Sequence, residues 1–310
     1  MADPVIKVTS KSFSAHPVLR AELLEKFPNT EFNENGVIYT EDMVADYFQG
    51  ADGAVVGLEP ITASVLDRCS GLKIVAKYGV GLDSVDQQAC ADRQVKIGWT
   101  GGVNRRGVAE MALCYMIGLA RHVFLSARHL RDNDDWNKIG GFDLSGKTVG
   151  IIGVGYIGKE VISLLKPFGC TILVNDVIDQ ADYYAEAGVT EVSKEELLAQ
   201  SDIVTVHTPL DDETRHMFNS ETIGAMKPTA YLINVARGPI VEQQAIKKAL
   251  MDNVIAGAAL DVFEAEPCDD KEFLTLPNLI CTPHTGGSSA ESILAMGRSA
   301  IGHLDSYFNG

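Results

Sequence analysis

No run of apolar residues in this sequence is long enough to cross a bilayer; the longest, Met111 to Ala120, falls far short of about 20 residues. The start, MADPVIKVTS, has no basic segment followed by an apolar one, so no export signal is read there and a cytoplasmic setting is expected. Six cysteines, Cys69, Cys90, Cys114, Cys170, Cys268 and Cys281, are scattered without a C-x-x-C pair. That spacing argues against a disulfide framework or a metal site, and most of the six read as small core residues. Positive charge is scarce: 26 Lys and Arg against 42 Asp and Glu leave a net charge of −16. This disfavours nucleic acid and anionic membranes as partners, and any anionic small molecule needs a local basic pocket. Internal repeats and low-complexity tracts are also missing.

What is present suits a large core. With 310 residues, 46% of them hydrophobic, the chain is about twice the common domain size, which predicts two domains. Short apolar runs alternate with helical segments from the start: Val5 to Val8, a helix near His16 to Phe27, Gly53 to Val56, a helix near Ile61 to Cys69, and Lys73 to Ala76. Such a rhythm implies parallel sheets. From Asn104 to about Arg131 the spacing predicts one long helix, with Ala109, Leu113, Met116, Ile117 and Ala120 on its apolar face. A polar loop, Asp132 to Gly146, leads into a second series of six strands: Thr148 to Ile152, Thr171 to Asn175, Ile203 to His207, Tyr231 to Val235, Ile255 to Leu260 and Leu279 to Thr282. A helix over Ser288 to Phe308 closes the chain and is placed back on the first domain. The fold class is therefore α/β, with doubly wound parallel sheets.

Within KTVGIIGVGYIGKEV, Gly153, Gly155 and Gly158 form G-x-G-x-x-G between a strand and a helix. Gly153 permits the tight turn, Gly155 lets a pyrophosphate approach the backbone, and Gly158 lets the helix pack close to the sheet. The next strand ends in Asp176, 18 residues beyond Gly158. A carboxylate there accepts hydrogen bonds from ribose hydroxyls and repels a 2′-phosphate, which favours NAD over NADP. Three further polar residues follow strand ends: Arg237 in INVARGPIVE, Glu266 in ALDVFEAEP and His284 in CTPHTGG. Singly, they read equally as a surface cation, a turn carboxylate and a capping or core histidine. Beside a dinucleotide turn they make chemical sense together. An alkoxide formed by hydride transfer to a ketone needs a proton donor, which suits histidine; a carboxylate orients that ring, and arginine presents a planar fork to a substrate carboxylate.

The motifs VAKYGVGLDSVD, NRRGVAEMAL, GVGYIG, VHTPL, INVARG, ALDVFEAEP and TPHTGG occur in order over nearly the whole chain, which resembles the D-isomer-specific 2-hydroxyacid dehydrogenase family, near its D-3-phosphoglycerate dehydrogenase branch. The resemblance implies two Rossmann-like domains. Residues 1–99 and 285–310 would form a discontinuous, flavodoxin-like substrate domain, and residues 100–284 the NAD-binding domain. It further implies that Arg237 binds the substrate carboxylate, that His284 is the general acid/base and that Glu266 supports it. Tyr156, Ile157, Asp176, Thr208, Pro209, Val235, Ala236, Asp261 and Gly286 would join the glycines as cofactor contacts. Val80 and Gly81 would cradle the substrate carboxylate. Lys77 and Arg105, with Arg106 beside it, are candidates for a second anionic group of phosphate, phosphonate or sulfonate type. Against a phosphorylated substrate, the stretch VVGLEP holds Gly57, Leu58 and Glu59 where that branch carries a basic residue. The sequence stops soon after TPHTGG and its helix, so no carboxy-terminal regulatory domain is expected. A homodimer is expected, with the apolar face of the long helix as contact. Two other readings remain open at this stage: an NAD-sensing corepressor-like binding protein, and a phosphite- or formate-type dehydrogenase.

Overall fold

The apolar runs of the sequence become short strands buried on both faces, as parallel strands between helical layers must be. The computed structural model describes residues 3–310. By their contacts these fall into two compact units, one of residues up to 104 together with 287–310 and one of residues 105–286. These boundaries lie a few residues beyond those read from the sequence.

The first unit holds β1 (Ile6–Val8), β2 (Thr30–Phe32), β3 (Gly53–Val56), β4 (Ile74–Lys77) and β5 (Lys96–Gly98). They pair in parallel in the order β2-β1-β3-β4-β5, the flavodoxin order. The C-terminal helix Ala290–Phe308 starts on the Ser289 cap and packs against β4, β5 and the helix Pro17–Lys26. Its return is secured by ion pairs of Arg298 with Glu22 and of Asp305 with Lys26, both 2.7 Å.

The second unit holds β6 (Thr148–Ile152), β7 (Thr171–Asn175), β8 (Thr190–Glu191), β9 (Ile203–Val206), β10 (Tyr231–Asn234), β11 (Gly257–Leu260) and β12 (Leu279–Cys281). Their order is β12-β11-β10-β9-β6-β7-β8, all parallel. The sheet thus has seven strands where six were read; β8 is a two-residue exposed edge without an apolar signature. The order reverses between β6 and β9. In an open α/β sheet the crevice at the carboxyl ends of such strands is where a ligand binds.

The single long helix is two: Arg105–Ala120 and Val123–Asn133, with axes 63° apart. His122 takes a left-handed conformation at the break (φ 50°), and Phe142 N–H caps the Ala120 carbonyl at 2.9 Å. Gly118 allows the reversal. A side chain there would meet the Phe124 ring at 2.4 Å, so the following helix folds back over it. The buried face of the first helix is also offset from the one read: Val108, Ala109, Ala112, Tyr115, Met116 and Leu119 are buried, whereas Ile117 is exposed. That face is consumed by β10, β11 and the helix Tyr156–Leu165, and is not open for a dimer contact. Of the six cysteines only Cys69 and Cys90 are fully buried; Cys114 is exposed and the rest are half-buried. Among the described residues no single helix is long and apolar enough to cross a membrane, and no group of His, Cys, Asp and Glu could hold a metal ion.

Candidate active site

Two groups of residues gather at the carboxyl edge of the seven-stranded sheet. The first follows β6, the strand at the switch point. Gly153 turns the chain with φ +89°, and a Cβ there would stand 2.8 Å from the backbone of His207. The helix Tyr156–Leu165 then starts on Gly155 with no side-chain cap, which leaves its first amides for an anion. A Cβ on Gly155 would meet nothing within 4 Å, so this face of the turn is open. Asp176, after β7, reaches the same turn: its Oδ2 accepts the Val154 N–H at 2.6 Å and its Oδ1 the Ile178 N–H at 2.9 Å. Oδ2 also accepts from Gln180 Nε2 at 3.5 Å, so Oδ1 is the oxygen that keeps a further lone pair for a hydroxyl.

Beside Gly153, the buried Thr208 Oγ1 and His207 Nδ1 have no hydrogen-bond partner among the described residues. Buried polar atoms are seldom left so. Burial drives the His207 pKa down to about 3, so its ring is neutral, and its Nε2 lies 3.0 Å from Thr205 Oγ1. The open glycine turn, the uncapped helix, Asp176 and these orphaned atoms together fit a dinucleotide. Of the other residues assigned to the cofactor, Tyr156 is exposed, Ile157 and Pro209 flank the same turn regions, and Val235 and Ala236 are buried at the end of β10.

The second group lies at the ends of β10, β11 and β12. Asn234, wholly buried, holds the backbone that carries Arg237: its Oδ1 accepts from Ala236 N–H at 3.0 Å and its Nδ2 donates to Arg237 O at 2.8 Å. Gly238 follows because nothing larger fits; a Cβ would fall 1.8 Å from the Phe263 carbonyl oxygen. That approach brings Arg237 to the segment carrying Glu266. Glu266 Oε1 accepts the Phe263 N–H at 3.1 Å and Oε2 lies 2.8 Å from His284 Nδ1, both side chains about one-third exposed. Burial opposes the charge on Glu266, but the His284 hydrogen bond, the Phe263 amide and the charges of His284 and Arg237 outweigh it, holding the carboxyl below its usual range. Arg237, Glu266 and His284 are therefore brought together. With Nδ1 engaged, His284 Nε2 is the nitrogen that can exchange a proton.

Asp261 and Gly286, also assigned to the cofactor, are joined to each other. Asp261 is 1% exposed, and its carboxylate collects Thr285 N–H and Gly286 N–H, each at 2.7 Å, Thr285 Oγ1 at 3.2 Å and the Thr282 hydroxyl. Its side chain organises the loop bearing His284.

The cations expected to take a second anionic group already have partners. Lys77, 3% exposed at the end of β4, donates to the Gly57 carbonyl and lies 3.3 Å from Ser84 Oγ. Arg106 pairs with Glu110 at 2.6 Å and Glu160 at 3.0 Å, and Arg105 with Glu160 at 3.6 Å. Val80 and Gly81 lie in the bend after β4, where the Val80 carbonyl accepts the Trp99 indole N–H at 2.7 Å. Sequence reasoning passed over Asn234, Gly238, Thr282 and Tyr115. The first has a visible signal, a polar residue closing an apolar strand; the others are recognisable only from their spatial neighbours.

Residues 113–286 match the family model described as D-isomer specific 2-hydroxyacid dehydrogenase, NAD binding domain. A glyoxylate reductase of Korarchaeum cryptofilum is 38% identical over 81% of this chain and 78% of its own length. A D-3-phosphoglycerate dehydrogenase of Methanocaldococcus jannaschii is 34% identical over 83% of this chain and 50% of its own length. The crystal structure of a 2-hydroxyacid dehydrogenase from Ketogulonicigenium vulgare Y25 superposes with a TM-score of 0.84 at 26% identity, covering 99% of this chain and 96% of that one. With a matched nucleotide-binding model over more than half its length, and a 38%-identical relative matched over 78% of that protein's length, the chain belongs to the D-isomer specific 2-hydroxyacid dehydrogenase family and uses a nicotinamide dinucleotide.

Proposed function

We propose that the protein is an NAD-dependent reductase of a small 2-keto acid carrying one negative charge, of the glyoxylate or hydroxypyruvate class, and that it forms the 2-hydroxy acid, of D configuration where C2 becomes a stereocentre. The observation that carries this reading is the His284–Glu266 pair at 2.8 Å, with Arg237 close enough to act on the same carboxylate. Arg237 offers its fork to the substrate carboxylate and the adjacent carbonyl oxygen, drawing electrons from the carbon to be reduced. His284, protonated at both nitrogens, gives the Nε2 proton to that oxygen as it becomes the hydroxyl. Glu266 holds the ring by Nδ1 and stabilises its charged form. The backbone amides at Val80 and Gly81 are assigned to the substrate carboxylate. Gly153, Gly155, Gly158, Tyr156, Ile157, Asp176, Thr208 and Pro209 would hold the dinucleotide, with Val235, Ala236 and Gly286. When bound, it supplies the hydride.

A substrate with a single anionic group is preferred for two reasons. The stretch Gly57–Leu58–Glu59 offers no cation, and Lys77, Arg105 and Arg106 each have protein acceptors already. The test is NADH oxidation with glyoxylate, hydroxypyruvate, phosphohydroxypyruvate and phosphonopyruvate. Glyoxylate or hydroxypyruvate is expected to exceed both doubly anionic acids in kcat/KM by at least about 10-fold, the value of one charge-assisted contact. The reverse order would refute the assignment. In the same assay NADH is preferred over NADPH, and Asp176→Ala narrows that preference by about 10-fold by removing the carboxylate that repels a 2′-phosphate.

The helix Val123–Asn133 has no buried residue, yet it exposes Val123, Phe124 and Leu130. Phe124 covers Gly118 with one edge of its ring, but much of the stripe stays on the surface, which suits a second copy of the chain, and we assign the dimer contact there. Sedimentation at micromolar concentration is expected to give a dimer, and Phe124→Glu with Leu130→Glu a monomer. A monomeric wild-type protein would remove this assignment.

A further inference from the structure

His284 sits in a conformation that its own residue type disfavours. Its φ is +54°, the left-handed region that a non-glycine residue keeps only where its surroundings hold it. The holding group is Asp261, at the end of β11: its carbonyl accepts the His284 N–H at 2.7 Å, while its carboxylate takes the amides of Thr285 and Gly286 just beyond. Four donors converge on that carboxylate, and one is the hydroxyl of Thr282, at the other end of the same loop. Thr282 spends its only proton on Asp261, so its oxygen is left as an acceptor. The group that fills it is the hydroxyl of Tyr115, from the middle of the helix Arg105–Ala120.

The direction of this chain is fixed by proton count. A carboxylate only accepts, so the Thr282 proton points to Asp261, and Tyr115 must donate to Thr282. Tyr115 is fully buried, and burial raises its phenol far above the ordinary range, so the proton stays on it. A tyrosine hydroxyl in the apolar face of a helix costs desolvation unless it has a partner. Among the described residues its partner is the Thr282 hydroxyl, in the loop that presents His284. Such directed chains polarise each member and stiffen the geometry they join.

We infer that the Tyr115 hydroxyl is a positioning group for His284, acting through Thr282 and the Asp261 carboxylate to hold the loop 282–286 so that the imidazole meets Glu266. The inference rests on the acid/base role assigned to His284 above, and it concerns a buried residue that acts through Thr282.

Tyr115→Phe removes one oxygen and keeps the ring in its packing. Its kcat for keto-acid reduction is expected to fall about 10-fold, with KM changed less than about twofold, because misplacing a proton donor slows the chemical step. Thr282→Val gives the same loss, and Thr282→Ser, which keeps the hydroxyl, recovers most of it. The double variant Tyr115→Phe/Thr282→Val is no slower than Thr282→Val alone, as members of one chain are non-additive. In dinucleotide-free protein the imidazole 15N shifts of His284 are expected to move in Tyr115→Phe toward those of Glu266→Gln. Unchanged shifts overturn the inference, even if the rate falls. Unchanged kcat with a lowered Tm overturns it too, leaving Tyr115 as a packing residue. If the wild-type protein reduces no keto acid, the functional reading fails separately, and the ring shifts still decide for or against the role of Tyr115.

Discussion

In His284→Gln, kcat for keto-acid reduction is expected to fall by about 10³-fold, within the range that general acid catalysis contributes, while NADH still binds. Glutamine keeps a polar side chain at the site but has no proton to give at neutral pH. Fluorescence titration with NADH checks the second half of the statement, since His284 lies at the β12 end and the glycine turn follows β6. A variant with wild-type kcat would remove His284 from the mechanism. Glu266→Gln should lose less, because it removes the group that orients and stabilises the ring, not the proton itself. It should also change the acid side of the stability profile. The folded-state pKa of Glu266 is depressed, so the stability it contributes is fully present above the unfolded carboxyl value, about 4.3, and is lost as pH falls through the lower folded value. Thermal melts from pH 7 downward should therefore show a shallower acid loss in Glu266→Gln than in the wild type.

Much of the fold was legible because the central strands are apolar throughout. GAVV, TVGII, IVTV and YLIN are buried almost to the last residue, and their ends agree with the sequence reading to within a residue. Of the four edge strands, β12 was read and the other three were not legible. TEF, KIG and TE are two or three residues long, carry charge, and owe their strand geometry to a neighbour's backbone, not to burial of their own side chains. The break at His122 was hidden for a related reason: Gly118 looks like an ordinary helical glycine until Phe124 is seen lying against it. At the candidate site, Arg237, Glu266 and His284 stood out as polar residues closing apolar runs. Tyr115 did not, since a tyrosine in the apolar face of a helix looks like core, and its hydroxyl acquires meaning only from Thr282, 167 residues away. Lys77 misleads in the opposite sense. Its charge suggested an anion site, but the ammonium lies against acceptors of its own unit.

The glycines of G-x-G-x-x-G separate folding from binding in one motif, because their missing side chains face different things. A Cβ on Gly158 would stand 2.2 Å from the Gly153 carbonyl oxygen, an atom of the turn itself that cannot rotate away. Gly158→Ala should thus push the helix Tyr156–Leu165 off the sheet. Overpacking of this kind costs about 1–3 kcal/mol, which lowers Tm by roughly 5 °C in a unit of this size. Gly155 is the reverse case. A Cβ there meets no protein atom within 4 Å, and its backbone has ordinary negative φ, so Gly155→Ala should melt like the wild type. The added methyl instead occupies the approach to the uncapped helix amides, where a pyrophosphate would sit. Losing one charge-assisted hydrogen bond to those amides is worth about 1.5–3 kcal/mol, so the Kd for NADH should rise about 10- to 100-fold in Gly155→Ala. Calorimetric titration with NADH alongside thermal melts of the two variants reads both effects. If Gly155→Ala bound NADH as tightly as the wild type, the open face of the turn would not be where the phosphates lie, and the orphaned Thr208 hydroxyl would need another partner. If it failed to fold, the space seen beside Gly155 would be occupied by the protein's own chain in solution, and the separation of the two roles along the motif would be lost.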